Sequence, residues 1–175
     1  MVSVDFFTVP TISFHILYVF IVFAHDRRRV LHFNVTAHPT AAWTAHQIIE
    51  AFPFNSAPKY LMRDRDGIYG NVFRKQLEAI DISEILIAPR SPWQRPFVER
   101  VIGSIRRECL DHVIIFGEES LRHTLRSYFR YYHESRLHLS LEKDSPTPHD
   151  VQSVGNIVII PQVGGLHHRY ERRTT

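Results

Sequence analysis

Three of the eighteen acidic residues stand out because of where they lie in the sequence. Asp5 is in the middle of an apolar, β-branched segment, where a carboxylate costs desolvation energy unless something pairs with it. Asp64 follows a second apolar segment, at the kind of strand end where α/β proteins usually build their sites. Glu99 comes after 34 intervening residues, on an amphipathic, helix-like stretch. The other carboxylates are expected to be solvated surface charges.

Carboxylates that converge on one point repel each other unless a cation lies among them or their pKa values are raised. Oxygen-only ligands with open positions suit Mg²⁺ or Mn²⁺. Two such ions can activate an attacking oxygen and stabilise the leaving oxygen of an in-line displacement at phosphorus. The spacing between Asp64 and Glu99 alone is common by accident, so it is compatible with ordinary surface carboxylates too.

The elements that must position these residues follow a mixed α/β order. Apolar, β-branched segments predict five strands, over residues 3–9, 14–24, 30–36, 59–62 and 82–88. Apolar side chains at helical spacing predict four helices, over residues 40–52, 71–80, 94–112 and 118–132. The short polar turns between the first three strands indicate an antiparallel meander. Asp5 is then in the first strand, Asp64 at the end of the fourth, and Glu99 on the third helix.

Several sequence segments around the three carboxylates are similar to the motifs of one family. They span residues 4–8 (VDFFT), 61–69 (LMRDRDGIY), 91–100 (SPWQRPFVER), 103–108 (GSIRRE) and 132–141, which begins at a tyrosine and ends in RLHLSL. They occur in the family's order and together cover about residues 3–150. On these residues the chain resembles the catalytic core of the DDE integrases and transposases, which include retroviral integrases and bacterial insertion-sequence transposases.

The resemblance implies an RNase H-like fold, with a mixed five-stranded sheet flanked by helices. It also implies that Asp5, Asp64 and Glu99 are the catalytic triad and hold two Mg²⁺ ions, with Mn²⁺ as a substitute. Asp66 is the rival of Asp64. The family usually has an aromatic residue five positions after its second aspartate, and Tyr69 meets that rule for Asp64, although Gly67 comes three positions after Asp64 instead of two. We favour Asp64 and expect Asp66 to shape the turn.

The implied reaction is DNA transposition or integration, by metal-dependent phosphodiester cleavage and strand transfer without a covalent enzyme–DNA intermediate. Arg106, two helical turns after Glu99, is a candidate phosphate contact, as are Arg107 and Arg95. The expected partners are DNA, as transposon ends and target, and further copies of the chain, at least a dimer when active. The pI of about 9.2 fits these partners, although an excess of arginine also reflects genome composition.

Other features limit the alternatives. The single cysteine, Cys109, excludes a disulfide framework and a cysteine-based zinc site, and we expect it in the core. The apolar stretch 12–24 is shorter than the about 20 residues of a membrane-spanning helix, and its positive charges follow it, so it predicts a buried strand. We therefore expect a cytoplasmic protein that does not act at a membrane and that joins the bacterial nucleoid when bound to DNA. Residues 1–150 are expected to form the integrase-type core, and residues 151–175 a basic, flexible tail.

Three functional interpretations remain. The first is an active recombinase, expected here as a fragment, because the family usually has a DNA-recognising helix-turn-helix region before the first aspartate and the sequence starts close to Asp5. The second is a catalytically incompetent remnant that only binds DNA or a partner. The third is an RNase H-like nuclease that acts on another nucleic acid. The sequence has no Gly-x-Ser-x-Gly motif and no glycine-rich phosphate loop, which argues against serine hydrolases and nucleotide-binding enzymes.

Overall fold

The computed structural model describes residues 1–54, 56–88, 96–148, 150 and 152–174. The strands are β1 (Val2–Pro10), β2 (Ile16–Ala24), β3 (Arg29–Thr36), β4 (Tyr60–Arg63), β5 (Ser83–Leu86), β6 (Asn156–Gln162) and β7 (His167–Arg173). The helices are α1 (Ala41–Ala51), α2 (Asn71–Ala79), α3 (Pro96–Glu108) and α4 (Glu118–Glu134). In the described residues, no helix is long and apolar enough to cross a membrane.

The first five strands form one mixed sheet in the order β3-β2-β1-β4-β5. β1, β2 and β3 are antiparallel neighbours, which confirms the predicted meander, and β4 and β5 run parallel to β1. The apolar stretch 12–24 contributes β2, an interior strand between β3 and β1, so its interpretation as a buried strand is confirmed for residues 16–24. The long β1–β2 ladder runs from the pair Val2 and Ala24 to the pair Pro10 and Ile16.

Each face of the sheet is covered by a pair of helices, because side chains alternate between the two faces along each strand. The odd-numbered residues Phe7 and Val9 of β1 belong to a core cluster with α3 and α4. The even-numbered residues Val2 and Val4 belong to a second cluster with α1 and α2. Asp5 therefore lies on the face that is covered by α3 and α4.

Helix α3 carries its apolar stripe into the first cluster through Val98, Val101 and Ile105, all at most 2% exposed. The helix ends at Glu108, earlier than the predicted residue 112. The reason is local, since Cys109 has backbone angles of φ −141° and ψ −66°, which cannot continue an α-helix. Cys109 is fully buried in the core, as predicted, and burial raises the pKa of its thiol to about 11.

The prediction of a flexible tail over residues 151–175 is wrong for most of that segment. β6 and β7 form an antiparallel hairpin, from the pair Asn156 and Arg173 to the pair Gln162 and His167. The segment around Gly164 makes the turn between the two strands. The charged residues of β7 suggested a solvated tail, but they alternate between the two faces of a ribbon, of which one packs against α4.

Candidate active site

Asp5 lies in the middle of β1 and is 9% exposed. Its ladder partner is Ile21 of β2, which belongs to the core cluster under α3 and α4. One carboxylate oxygen, Oδ1, accepts the backbone N–H of Phe6 at 2.9 Å. The strand therefore fixes the position of this carboxylate. The hydrogen bond from Phe6 compensates part of the desolvation cost of the buried charge.

Asp64 follows the last residue of β4, and the strand register relates it to Asp5. β4 pairs with β1 in parallel, with Val2 opposite Leu61 and Ser3 opposite Met62. Extended two residues past the last of these pairs, the same offset matches Asp64 with Asp5. Asp66 would be level with a residue two positions further along β1. The register therefore favours Asp64 over Asp66 as the partner of Asp5.

The loop after β4 uses both aspartates as turn-forming acceptors. Asp64 Oδ1 accepts the backbone N–H of Asp66 at 3.1 Å, and Asp66 Oδ1 accepts the backbone N–H of Ile68 at 3.0 Å. The Asp66 carbonyl accepts the N–H of Tyr69 at 3.2 Å. Asp66 thus shapes the turn, as the sequence predicted.

Arg63, the residue before Asp64, packs on the face of the sheet that is covered by α1 and α2. Its guanidinium pairs with Glu84 of β5 and lies 5.1 Å from the ring centre of Tyr69 and 5.9 Å from that of Phe73 in α2. The side chain is 4% exposed, so it is held firmly on the α2 face. Strand alternation extended one residue past β4 predicts the other face for Asp64, which is the face of Asp5.

Glu99 lies in the first turn of α3 and is exposed to solvent. One flank of α3 faces α4, because Glu108 is paired with Arg136, which follows α4. The other flank faces β1, because Arg106 Nη2 donates to the carbonyl of Thr8 at 3.2 Å. Glu99 is seven residues before Arg106, about two helical turns, so it is on the β1 flank. Asp5 and Glu99 therefore lie on the same side of the sheet.

The donor set fits a hard divalent cation in its chemistry, since it consists of carboxylate oxygens only. In the described part of the chain, however, no group of three or more His, Cys, Asp or Glu side chains has the geometry of a metal site. Asp5 and Glu99 thus lie on the same side of the sheet and Asp64 lies in the loop after β4, but the three carboxylates do not form a compact set of ligands.

The three arginines predicted to contact DNA differ in what the structure describes. Arg106 is exposed, and its guanidinium is 5.8 Å from the ring centre of Phe7. Arg107 is also exposed, and its Nη1 lies 2.9 Å from the position that a Cβ on Gly103 would take, so the side chain folds back over that glycine. Arg95 lies outside the described residues, together with residues 89–94.

The flank of α3 that faces α4 holds an ion-pair cluster that sequence reasoning missed. Arg136 Nε and Nη2 donate to the two Glu108 oxygens at 2.7 Å and 2.6 Å, and the Tyr128 hydroxyl donates to Glu108 at 2.9 Å. Burial acts to raise the pKa of Glu108, but the Arg136 hydrogen bonds and charge hold that pKa below its ordinary value. Burial and the Glu108 charge raise the pKa of Tyr128. The closing motif 132–141 pointed to Arg136, but no spacing rule pointed to its partner.

Three consecutive arginines, residues 27–29, lie at the turn between β2 and β3, and the first two of them contact other parts of the fold. Arg27 Nη2 is 2.6 Å from Asp144 Oδ2 and donates to the carbonyl of Ser145 at 2.9 Å. The Arg28 guanidinium lies 3.7 Å from the ring centre of Phe97 in α3. These contacts join the turn to the start of α3 and to the segment after α4, so the run packs against the fold.

A family model described as the integrase core domain matches residues 80–146. A chain of the simian T-cell lymphotropic virus intasome, solved in complex with PP2A regulatory subunit B56 gamma, is similar in structure. Its TM-score is 0.66 at 12% identity, over 97% of this chain and 65% of that chain. The Mos1 mariner transposase catalytic domain gives a TM-score of 0.62 at 15% identity, over 74% of this chain and 69% of that one.

The HTLV-2 integrase catalytic core domain, solved in complex with magnesium in a trimeric form, gives a TM-score of 0.63 at 11% identity. That match covers 83% of this chain and 91% of the HTLV-2 chain. No curated protein sequence matches. The chain spans about two thirds (65%) of the length of the intasome chain. The mixed five-stranded sheet with flanking helices is the fold of the RNase H-like integrase and transposase catalytic cores, and residues 80–146 within it resemble the integrase core domain.

Proposed function

We propose that the chain is a DDE transposase or integrase that cleaves DNA phosphodiesters and transfers DNA strands, with Asp5, Asp64 and Glu99 as its metal-binding residues. The observation that carries this proposal is the parallel pairing of β4 with β1, because its offset, extended two residues past the last pair of the ladder, matches Asp64 with Asp5. The position of Glu99 on the β1 flank of α3 supports it, as does the integrase core match.

The proposed cofactor is Mg²⁺, with Mn²⁺ as a substitute and two ions in the working site. Structures of the HTLV-2 integrase core and of the Mos1 catalytic domain with magnesium support this choice. Bound to the three carboxylates, such ions would supply activation of the attacking oxygen and charge stabilisation at the leaving oxygen.

The chain's own residues hold and orient the substrate in this proposal. The backbone N–H groups of Phe6 and Asp66 each donate to one oxygen of Asp5 and of Asp64, respectively, which holds both carboxylates in a fixed orientation. Arg106 and Arg107 contact DNA phosphates along the same helix, and Arg95 does so before Glu99. Water attacks the phosphodiester first, and the resulting 3′-hydroxyl attacks the target next. Because most contacts are to phosphate, binding weakens steeply with salt and depends little on sequence.

The proposed partners are transposon-end and target DNA, and other copies of this chain. Solved relatives occur in dimeric and trimeric forms and in an intasome, which supports a working state of at least two copies. An enzyme with these substrates would work in the bacterial cytoplasm, at the nucleoid.

The experiment that tests this function is strand transfer in reverse, on a branched DNA that mimics a joined end. Wild type, Asp64→Asn and Glu99→Gln are compared with Mg²⁺ and with Mn²⁺, and Asp66→Asn is the matched control. We expect metal-dependent resealing that both site variants lose and Asp66→Asn keeps. A folded wild type that binds DNA but never reseals the branch would support the incompetent remnant, and cleavage of RNA–DNA hybrids alone would support a nuclease.

A further inference from the structure

The β6–β7 hairpin presents two different faces. Ile159 pairs with Tyr170 and Ile157 pairs with Arg172, so these side chains share one face, together with His168 two positions before Tyr170. We call these five residues the outer face. Ile157, Ile159 and Tyr170 are 61%, 57% and 65% exposed, although all three are large and mostly apolar. The outer face is therefore an exposed surface that combines aliphatic, aromatic and basic side chains.

The opposite face of the hairpin, which we call the inner face, includes His167, Arg169, Glu171 and Arg173 of β7. It packs against the core. The His167 ring stacks on Tyr131 of α4, with ring centres 4.2 Å apart and planes 4° apart, and its Nε2 is 2.7 Å from the backbone oxygen of Glu108. Arg169 is 3.7 Å from Glu134 at the end of α4. The outer face is thus presented by an anchored ribbon, which binds with less ordering cost than a loose tail would.

The charges of the hairpin favour an anionic partner. The outer face carries His168 and Arg172 and no carboxylate. Glu171 points to the inner face, where it pairs with both Arg169 and Arg173. Arg172 Nη1 donates to the backbone carbonyl of Gly155, before the start of the hairpin, at 2.9 Å, and a guanidinium has five N–H groups in all.

A cavity of about 670 Å³ adjoins the outer face. Ile157 and Tyr170 line it together with Leu137 and Pro148. The carboxylates that line the same cavity are those of Glu134, Asp150 and Glu171. Two of the three are paired with Arg169, so the walls beside the outer face are mainly apolar or charge-neutralised.

We propose that the outer face binds a single-stranded DNA segment, with a base stacked on Tyr170, sugars against the isoleucines and a phosphate on Arg172. Each nucleotide of a strand offers a flat base beside a phosphate, which matches an aromatic residue flanked by basic residues. Unpaired bases are required, because a duplex buries the faces that Tyr170 would stack on. This inference rests on the proposed function only in so far as that function gives the chain DNA to handle.

The location makes this a second DNA surface. The hairpin is attached on the α4 side of α3, through Tyr131 and the carbonyl of Glu108. Glu99 and Arg106 lie on the opposite flank, which faces β1. Strand transfer joins two DNA segments, so a surface outside the catalytic flank can hold a displaced strand of one of them while the other is at the carboxylates.

The test is the binding of a short, labelled oligothymidylate, followed by fluorescence anisotropy in EDTA so that no divalent metal contributes. We expect Tyr170→Ala to weaken binding about tenfold or more, since stacking on an aromatic residue contributes that much per base. Tyr170→Phe keeps the ring and should bind within about twofold of wild type. Arg172→Gln should weaken binding and flatten its salt dependence. Tyr60→Ala is the matched control, because Tyr60 is exposed beside Lys59 on the main sheet.

A second readout does not depend on the variants folding. Photo-crosslinking of a bromouridine-substituted strand to the wild type should attach to β7, at Tyr170 or its neighbours. Unchanged affinity in a folded Tyr170→Ala, crosslinks confined to α3, or a duplex that binds as tightly as the single strand would overturn the proposal. Oligonucleotide binding without any strand transfer would contradict the proposed function and leave this surface standing.

Discussion

The two flanks of helix α3 use similar residues in opposite ways. On the α4 flank, Glu108 is enclosed between Arg136 and Tyr128, and its side chain is 25% exposed. On the β1 flank, Glu99 and Arg106 are exposed to solvent. Glu108 has a structural role, because Arg136 binds both of its carboxylate oxygens and compensates its charge. Glu99 is exposed to solvent in the first turn of the helix.

We therefore predict a structural role for the charge of Glu108 and a functional role for that of Glu99, within a single helix. A buried ion pair stabilises chiefly by avoiding an uncompensated charge, so its loss should affect folding. An exposed carboxylate contributes little to stability, so its loss should affect only what it binds. Matched substitutions on the two flanks should therefore give opposite results in assays of activity and of stability.

The largest expected effect is on catalysis, from the exposed flank. Glu99→Gln should lower the rate of metal-dependent branch resealing by at least about a hundredfold, since even outer partners of metal ligands contribute 10–100-fold. Its free energy of unfolding should stay within about 0.5 kcal/mol of wild type, because the side chain is exposed. Kinetics on the branched substrate and urea denaturation test the two parts. A large loss of stability would mean that Glu99 is structural.

The next effect is on stability, from the enclosed flank. Glu108→Gln should lower the free energy of unfolding by about 2–3 kcal/mol, because Arg136 keeps its charge in a site that is only partly exposed. Urea denaturation measures this. Arg136→Lys is the matched control, which keeps the positive charge but loses the two-pronged geometry, and it should fall between wild type and Glu108→Gln. A Glu108→Gln protein as stable as wild type would show that the cluster contributes little.

The pH dependence of the free energy of unfolding should arise mainly from His133 of α4. Burial lowers the pKa of His133 to about 4, and its Nε2 accepts the backbone N–H of Val30 at 3.0 Å, which requires the neutral ring. The unfolded chain binds this proton near its ordinary pKa of 6.5, so stability falls as the pH drops from about 6.5 to about 4. Glu108, with its lowered pKa, adds a further loss below its ordinary value of 4.5.

Thermal unfolding across this pH range checks the prediction. His133→Gln should flatten the curve between pH 6.5 and about 4, while Glu99→Gln should leave its shape unchanged. A curve of the same shape in His133→Gln would mean that the acid sensitivity arises elsewhere, for example at His138, whose pKa burial also lowers to about 4.

The smallest expected effect is that of a substitution at Thr40, which caps α1 and belongs to neither flank of α3. It serves as a reference for the other effects. The Thr40 hydroxyl caps helix α1 by accepting the backbone N–H of Trp43 at 3.1 Å. Thr40→Ala should cost about 1 kcal/mol of unfolding free energy, as the loss of an N-cap usually does. Branch resealing should be unchanged at a temperature where the variant is folded. A reduced resealing rate would show that global stability limits the activity assay.

Much of this fold could be predicted from the sequence, because the strands and helices have clear apolar periodicity. The antiparallel meander of β1, β2 and β3, the location of Asp5 in β1 and the location of Asp64 after β4 all follow from local patterns. The mixed five-stranded sheet was implied by the family resemblance, and the parallel pairing of β4 with β1 joins segments too far apart in sequence for a local pattern to predict. The β6–β7 hairpin was missed because its basic residues hide the two-residue period. The pairing of Glu108 with Arg136 joins residues 28 positions apart in two helices, and only the packing of those helices brings them together.

The central claim is that Asp5, Asp64 and Glu99 hold the metal, with Asp66 left to shape the turn. Cleavage of the protein backbone by Fe²⁺ and peroxide, with the fragments mapped by mass spectrometry, tests it most directly, because Fe²⁺ in a magnesium site cuts the chain next to its ligands. The account predicts cuts near all three residues that excess Mg²⁺ suppresses, that Asp64→Asn abolishes and that Asp66→Asn leaves intact. Cuts that survive Asp64→Asn but vanish in Asp66→Asn, or cuts elsewhere only, would contradict it.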